Sequence, residues 1–282
     1  MRKVQGLRSA VLATVMATAV LGCSSAFAEE LQEYTLDTMV VTATRTEAKA
    51  VDVPVNTSVV SAAKIEERHY QNVAEVLKDV PGAQIVDSGE GAAEKKIILN
   101  GDERVLVLVD GKRVNFDIGT MSRASYDLNQ LPDVSIIDHI EVVKGHGGAL
   151  YGSDAVGGVV NIITKKMDHN YGKVSMGFGS HQARDAKAMY TIKEGKTGVM
   201  LSASKAKQGY YKYKDVADGN TKRFGDANYD NEKVSLKVTQ ELSDTTNLEV
   251  GYDYSKLSGL SQYSVPVYYA ANSIDKKPII LM

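Results

Sequence analysis

A glycine-dense segment between two apolar runs is the first place where this sequence could do chemistry. Gly145 to Gly158 follows the apolar run Ile140 to Lys144, and a glycine-rich loop after a strand can cradle a phosphate group. However, Ser153-Asp154 stands where a phosphate-binding loop carries lysine followed by serine or threonine, and Leu150 breaks the G-x-G-x-x-G spacing. We therefore predict a structural role, because glycine allows tight reversals and close approach of neighbouring elements.

The other residue types that commonly carry chemistry do not form a recognisable site. The histidines show no metal-ligand spacing and none accompanies a serine or cysteine in a nucleophile motif; they are His69, His139, His146, His169 and His181. No paired-carboxylate or triad pattern is present. We predict that the chain is not an enzyme and holds no metal or cofactor of its own. The net charge of −2 also gives no overall field that would attract nucleic acid.

Basic and aromatic side chains alternate in the stretch 205–223, which contains six basic residues beside Asp215 and Asp218. Cations interleaved with tyrosines favour an anionic, aromatic ligand. We predict ligand binding by Lys212, Lys214, Tyr210, Tyr211 and Tyr213. A solvated loop, or one that binds the phosphates of lipopolysaccharide, is the alternative.

The first 28 residues resemble a secretory signal peptide. Arg2, Lys3 and Arg8 precede the apolar run 10–21, and Ala26-Phe27-Ala28 supplies small residues for cleavage. Cys23, the only cysteine, is predicted to be removed with this signal; the alternative is its acylation, since residues 20–23 distantly resemble a lipoprotein processing site. We predict a leader over residues 29–54, with the β-prone stretch Thr38 to Thr42 inside it.

Residues 55–165 have a mixed α and β pattern. Ser61 is a predicted N-cap for a short helix through Arg68, and Asn72 with Glu75 is a predicted capping pair for the next helix. Asp110-Gly111, between two apolar runs, predicts a tight hairpin turn. Further strands are predicted over 140–144 and 159–164.

After Lys166 the pattern changes to strict alternation of apolar with polar or small residues. Five such strands, each with one apolar face, fit a membrane barrel with a polar lumen, and the connection over 205–232 is predicted to be a long outer loop. A sixth strand is possible after Pro266. A water-soluble β-sandwich would show similar alternation and is the alternative.

Several motifs in order resemble those of TonB-dependent outer-membrane receptors. They are Asp37-Thr38-Met39-Val40-Val41, Leu77 to Gly82, Leu106 to Val114, and Ile140 to Lys165. Residues 37–41 are similar to the TonB box, the segment that contacts TonB of the inner-membrane energising complex. The resemblance implies an α+β plug domain over 55–165, followed over 166–282 by the first antiparallel strands of a transmembrane β-barrel. It is closest to plugs of catecholate-siderophore and colicin receptors.

Two positions depart from the family pattern. The family often has arginine at the places of Asn100 and Lys144, where those arginines are thought to pair with barrel glutamates. Lys144 is the remaining candidate for a plug–barrel contact, but its ammonium offers one point charge instead of a bidentate fork. The resemblance therefore leaves the plug–barrel lock open in this chain.

The resemblance implies energised import of a ferric siderophore across the outer membrane of a Gram-negative-type cell. A cobalamin or haem receptor, or a periplasmic or surface module that binds without transport, is the alternative. The 117 residues after Lys165 provide about five strands of a barrel expected to have about 22. We therefore expect the sequence to be a truncated form that cannot import its ligand alone.

Overall fold

The computed structural model describes residues 39–40, 48–49, 56–87, 94–115, 126–145, 151–152, 155–224, 229–243, 245–261 and 272–275. The predicted signal peptide and Cys23 lie outside the described residues. Two compact units are present, one within Glu29–Asp87 and Glu94–Lys166, the other within Met167–Met282. No helix among the described residues is long and apolar enough to cross a membrane.

The first unit, which we call the plug unit, contains short strands and two short helices. In chain order these are β1 (Met39–Val40), β2 (Ala48–Lys49), β3 (Thr57–Ser61), α1 (Ala62–Glu67), α2 (Val73–Lys78), β4 (Ala83–Asp87), β5 (Lys95–Leu99), β6 (Val105–Val109), β7 (Lys112–Arg113), β8 (Ile137–Lys144) and β9 (Gly158–Thr164). The main sheet has the order β3-β8-β9-β6-β7, and only β6 and β9 run parallel. Its central strands are almost completely buried, so the core of this unit lies along β6, β8 and β9.

Both predicted helix caps are confirmed. The Ser61 side chain accepts a hydrogen bond from the Lys64 N–H at 3.3 Å, and the Asn72 Oδ1 accepts one from the Glu75 N–H at 3.1 Å. The Glu75 carboxylate in turn accepts from the Gln71 N–H at 2.7 Å. These bonds satisfy N–H groups that have no partner inside the helix. They fix where α1 and α2 begin.

The predicted turn at Asp110-Gly111 is also confirmed. Both residues have positive φ, 49° and 75°, and they join Val109 to Lys112 as a two-residue hairpin loop. The Asp110 carboxylate accepts hydrogen bonds from the N–H and the hydroxyl of Thr164, at 2.8 and 2.9 Å. The turn is therefore tied to the end of β9.

The glycines that end the glycine-dense segment have the structural role that the sequence predicts. A Cβ atom on Gly157 would meet the carbonyl oxygen of Asp102, and one on Gly158 would collide with the carbonyl oxygen of Val143. Gly158 also has a φ of 143°, which L side chains rarely adopt. Glycine therefore lets β9 enter the sheet between β6 and β8.

The antiparallel hairpin of β4 and β5 is a two-stranded sheet of its own that the sequence analysis missed. Its strands have mixed polarity, as in Ala83-Gln84-Ile85-Val86-Asp87. Ile97 and Leu99 are buried, whereas Val86 is 43% exposed. This hairpin has no clean alternation, so the period-two signal was weak.

The second unit, which we call the wall unit, consists almost entirely of antiparallel strands. They are β10 (Tyr171–Phe178), β11 (Arg184–Glu194), β12 (Thr197–Gln208), β13 (Tyr211–Lys214), β14 (Thr221–Phe224), β15 (Tyr229–Ser243), β16 (Thr246–Ser261) and β17 (Asn272–Asp275). The main sheet has the order β10-β11-β12-β15-β16-β17 and is not closed, while β13 and β14 form a separate hairpin. The five predicted strands and the sixth after Pro266 are confirmed as strands.

The two faces of this sheet have the reverse of the usual polarity. The face with the larger apolar side chains is exposed, for example at Phe178 (86%), Met176 (66%) and Val250 (56%). Polar side chains on the opposite face are buried, namely Lys187, Thr191, Ser202, Ser204, Lys233 and Ser235. A water-soluble sheet buries its apolar face. This pattern fits the predicted membrane barrel and not the β-sandwich alternative.

The prediction of one long loop over 205–232 is wrong at both ends. Strand β12 continues through Gln208 and pairs with β15 from Tyr229, so that Lys205 lies opposite Glu232 and Lys207 opposite Asp230. The backbone pairing of the two strands continues there, and only the polarity of the side chains changes. Ion pairs replace apolar contacts across the ladder.

Candidate functional site

The predicted coupling segment is described only in part. Met39 and Val40 form β1, which pairs antiparallel with β2 in the register Met39 to Lys49 and Val40 to Ala48. This two-stranded ladder is separate from the main sheet of the plug unit. Asp37, Thr38 and Val41 lie outside the described residues. The described part of the segment is thus extended and does not begin the main sheet.

The predicted ligand-binding residues lie on the hairpin of β13 and β14. Lys212 and Lys214 are exposed on β13, in register with Arg223 and Thr221 respectively. The strand positions of Tyr211 and Tyr213 are described, but their side chains are outside the described set. Within the described part of the chain, Lys212, Lys214 and Arg223 have no ion-pair partner.

The turn of this hairpin is organised by one lysine between two aspartates. Lys222 forms ion pairs with Asp215 and, at 2.9 Å, with Asp218. The side-chain hydrogen bond from Lys222 holds the pKa of both carboxyl groups below their ordinary value. Lys222 is therefore used inside the turn. Since Lys205 and Lys207 lie on β12, three of the six basic residues in the stretch 205–223 remain for a ligand.

Tyr210 is the centre of a small aromatic cluster beside this hairpin. The guanidinium carbon of Arg223 lies 3.7 Å from the centroid of the Tyr210 ring, a cation–π contact. The His181 ring meets the same tyrosine edge to face, at 5.2 Å between centroids. From the sequence, Arg223 was counted only among the six basic residues of the stretch 205–223, and His181 was not placed at the site. No local pattern could have done so, because β11 and β12 separate His181 from Tyr210.

His181 reaches this position through a turn with a left-handed backbone. His181 and Gln182 both have positive φ, 58° and 62°, as the central residues of the turn from Ser180 to Ala183, which lies between β10 and β11. Asparagine, aspartate and histidine are the residues other than glycine that are enriched in that region, so His181 is well tolerated there and Gln182 is the less common choice. The His181 carbonyl accepts a hydrogen bond from the Gly209 N–H at 3.1 Å. The turn is therefore tied to the start of the hairpin segment.

Lys144, the predicted plug–barrel contact, is the last residue of β8. Its N–H donates to the Asn56 carbonyl at 2.9 Å, and the described residues include no ion-pair partner for its ammonium. Asn100, the other departure from the family pattern, has a φ of 50° and its N–H donates to the Gly82 carbonyl at 3.0 Å. The contact of Lys144 with barrel glutamates stays a prediction.

A titratable cluster on β8 was not found from the sequence. The imidazole of His139 lies between two carboxylates, with Nδ1 2.6 Å from Asp138 and Nε2 3.1 Å from the fully buried Glu141. Burial lowers the pKa of His139, but the hydrogen bonds to the two carboxylates raise it more, to about 9. Among the described residues, no group of three or more histidine, cysteine, aspartate or glutamate side chains is arranged so that it could hold a metal ion. The cluster therefore holds a charged histidine.

Comparisons with known proteins identify the class of protein to which this architecture belongs. The family model for the TonB-dependent Receptor Plug Domain matches residues 49–159. The vitamin B12 transporter BtuB of Vibrio vulnificus is 38% identical over 200 residues, covering 70% of this chain and 32% of that protein. The chain thus spans about a third of the length of this curated relative. These matches define a plug domain that precedes strands of a partial barrel.

Solved structures share this fold at lower sequence identity. The ferripyoverdine receptor of the outer membrane of Pseudomonas aeruginosa is 20% identical with a TM-score of 0.63, covering 78% of this chain and 28% of that one. The siderophore receptor PirA of Acinetobacter baumannii is 22% identical with a TM-score of 0.56, covering 75% and 33%. The chain belongs to the TonB-dependent receptor family and corresponds to the N-terminal part of such a receptor. This is a family of outer-membrane receptors and transporters, so the localisation predicted from the sequence is confirmed.

Proposed function

We propose that this chain is the plug and the first wall strands of a receptor that captures a ferric siderophore for energised import. The ligand class is inferred from the hairpin of β13 and β14. There, Lys212, Lys214 and Arg223 are exposed and have no ion-pair partner among the described residues, and Arg223 lies on the ring of Tyr210. A ferric catecholate combines negative charge with aromatic rings, so it complements both features.

Import would be coupled to TonB through residues 37–41. The β-branched residues Thr38, Val40 and Val41 favour an extended backbone, which is the form that adds to the edge of a partner's sheet. The short pairing of Met39–Val40 with Ala48–Lys49 is consistent with such a backbone. A two-residue ladder is weak, so it could be exchanged for pairing with TonB.

A cobalamin is the second candidate ligand, and one observation favours it. A relative that is 38% identical over 70% of this chain is a vitamin B12 transporter. Cobalamin carries no comparable negative charge and would gain little from Lys212 and Lys214. A haem receptor, also of this family, is a third possibility that follows from the family alone.

Charge reversal on the hairpin tests the ligand class. In the full-length receptor, Lys212→Glu with Lys214→Glu should slow capture of a ferric catecholate at low salt and have a smaller effect at high salt, because salt screens exposed charges. Lys196→Glu, in the exposed turn between β11 and β12, is the matched control. Tight cobalamin binding that both variants leave unchanged, together with no binding of the catecholate, would assign the receptor to the second candidate.

A proline substitution tests the coupling segment separately. Val40→Pro removes a backbone donor and cannot continue a ladder, so it should abolish energised uptake while ligand binding and receptor abundance stay normal. Normal uptake in Val40→Pro, or loss of binding together with the folded receptor, would contradict the coupling role.

A further inference from the structure

We propose that the turn between β10 and β11 holds the hairpin of β13 and β14 in place, and that His181 is a positioning residue for Arg223. The contacts between this turn and the hairpin form what we call the hairpin latch, which consists of His181, Gln182, Gly209, Tyr210 and Arg223. The effect of the latch on affinity rests on the proposed capture of a ferric catecholate. The latch itself does not depend on which nutrient the receptor imports.

The hairpin of β13 and β14 is not a continuation of the main sheet of the wall unit. It is a two-stranded sheet of its own with four paired positions. An isolated two-stranded hairpin is at best marginally stable in water. The exposed cations Lys212, Lys214 and Arg223 can therefore keep a fixed position only if other contacts hold the two strands.

The first contact of the latch is made where the chain leaves β12 for the hairpin. The Gly209 N–H donates a hydrogen bond to the His181 carbonyl at 3.1 Å. The Gln182 side chain packs against the same glycine, so that a Cβ atom on Gly209 would collide with the Gln182 Oε1 and lie 3.2 Å from the Gln182 Cβ. Glycine at this position therefore lets the turn approach the backbone between β12 and β13.

The second contact is a series of three side chains that crosses the hairpin. The His181 ring meets the Tyr210 ring edge to face, with centroids 5.2 Å apart and an angle of 88° between the ring planes. Arg223, on the far strand β14, lies over the same tyrosine ring at 3.7 Å. The Ser180 Oγ lies 3.2 Å from the His181 Nδ1 and restricts rotation of the imidazole. Since Tyr210 directly precedes β13, it connects the turn to both strands of the hairpin.

The latch affects ligand capture through the conformational freedom of Arg223. An exposed arginine has many rotamers, and a ligand that binds it must order the side chain. Arg223 is already held against Tyr210, and Tyr210 against His181, so less freedom is lost when a ligand binds. His181 acts in this way without touching the ligand. Loss of its ring should therefore weaken binding although the lysines and the arginine of the hairpin are unchanged.

The variant that isolates the ring of His181 is His181→Asn. Asparagine accepts the left-handed backbone of this turn, so the variant keeps the turn while it removes the aromatic contact. His169→Asn is the matched control, because the His169 ring meets Tyr171 in a similar edge contact at 6.1 Å, at the other end of β10. Both variants are made in the full-length receptor that contains this chain.

The first measurement needs no ligand. Spin labels on Thr221→Cys in β14 and on Lys196→Cys in the turn between β11 and β12 report the position of the hairpin relative to the main sheet, and both residues are exposed. The distribution of distances between the two labels should be wider in His181→Asn than in the parent and in His169→Asn. Equal widths in the parent and in His181→Asn would overturn the proposal. Equal widening by both histidine variants would also overturn it.

The second measurement is the affinity for a ferric tris-catecholate. His181→Asn should weaken binding about fivefold, which corresponds to the loss of one aromatic pair, whereas His169→Asn should bind like the parent. A wider distance distribution with unchanged affinity would overturn the positioning role of His181. A parent receptor that binds no ferric catecholate would contradict the proposed function instead, and the label distances would still decide whether the latch exists.

Discussion

The plug unit and the wall unit use the same amino acids in opposite ways. In the plug unit, Ile140, Val160 and Ile162 are fully buried between neighbouring strands, as in any protein that folds in water. In the wall unit, Val250 and Leu248 are about half exposed, while Lys187 and Lys233 are buried. The hydrophobic pattern alone does not show which face is covered, since the solvent on each side decides that. Two adjoining segments of one chain are thus built for two different solvents.

The largest loss of stability is expected in the plug unit, from a substitution that leaves a cavity at the centre of its main sheet. Ile162→Ala removes a fully buried side chain from β9 and should lower the free energy of unfolding by about 2–5 kcal/mol. The adjacent Ile163 is only partly buried, so Ile163→Ala should cost less than half as much. Denaturant unfolding of the two variants measures the difference. Equal losses would show that the core does not lie along β9.

Much of the plug unit followed from local chemistry in the sequence. The caps at Ser61 and Asn72 and the turn at Asp110-Gly111 depend on residues a few positions apart, so their types and spacing suffice. The hairpin of β4 and β5 was missed because neither strand alternates cleanly. The cluster of His181, Tyr210 and Arg223 depends on the pairing of four strands, which no local pattern encodes.

The same limit of local sequence patterns explains which features of the wall unit were missed. Apolar alternation gave the strands, but it stopped at Ala203 and Val234, although the ladder continues through Lys205 and Glu232. A change of environment along a strand therefore looked like the end of the strand. The ion pairs of Lys205 and Lys207 were hidden by this effect, since both lysines were assigned to a loop.

The next largest loss of stability should come from a charged residue introduced on the exposed face of the wall unit. Val250→Arg should lower the stability of the receptor in a bilayer by about 2–4 kcal/mol, because the arginine would face hydrocarbon. Val216, which is 95% exposed in the hairpin turn, provides the matched control. Val216→Arg should change stability by less than about 0.5 kcal/mol. Reversible unfolding in lipid vesicles measures both. A mild effect at both positions would mean that Val250 faces water.

A smaller contribution to stability, within the plug unit, should depend on pH. The folded pKa of His139, about 9, lies above its ordinary value. Its charged form is thus favoured by folding, and the stabilisation is fully present below about pH 6.5 and is lost as pH rises through 9. The contribution is of the order of 2 kcal/mol, after allowance for partial exposure.

Removing the imidazole should remove this dependence. His139→Gln should flatten the plot of unfolding free energy against pH between 6.5 and 9, while the parent loses stability over that range. The pH series is measured by urea unfolding. A parent plot that stays level would contradict a charged His139 between Asp138 and Glu141.

The central claim is that the exposed apolar face of the wall unit meets lipid while the opposite face does not. Because Cys23 is the only cysteine and lies in the predicted signal peptide, single cysteines report one position each. Spin labels would be placed at successive positions 248–255 of β16 in the full-length receptor in vesicles. Accessibility to oxygen should peak at even positions, which include Val250 and Tyr252, and fall at odd ones. Equal access of a water-soluble relaxation agent to both sets of positions would contradict the account.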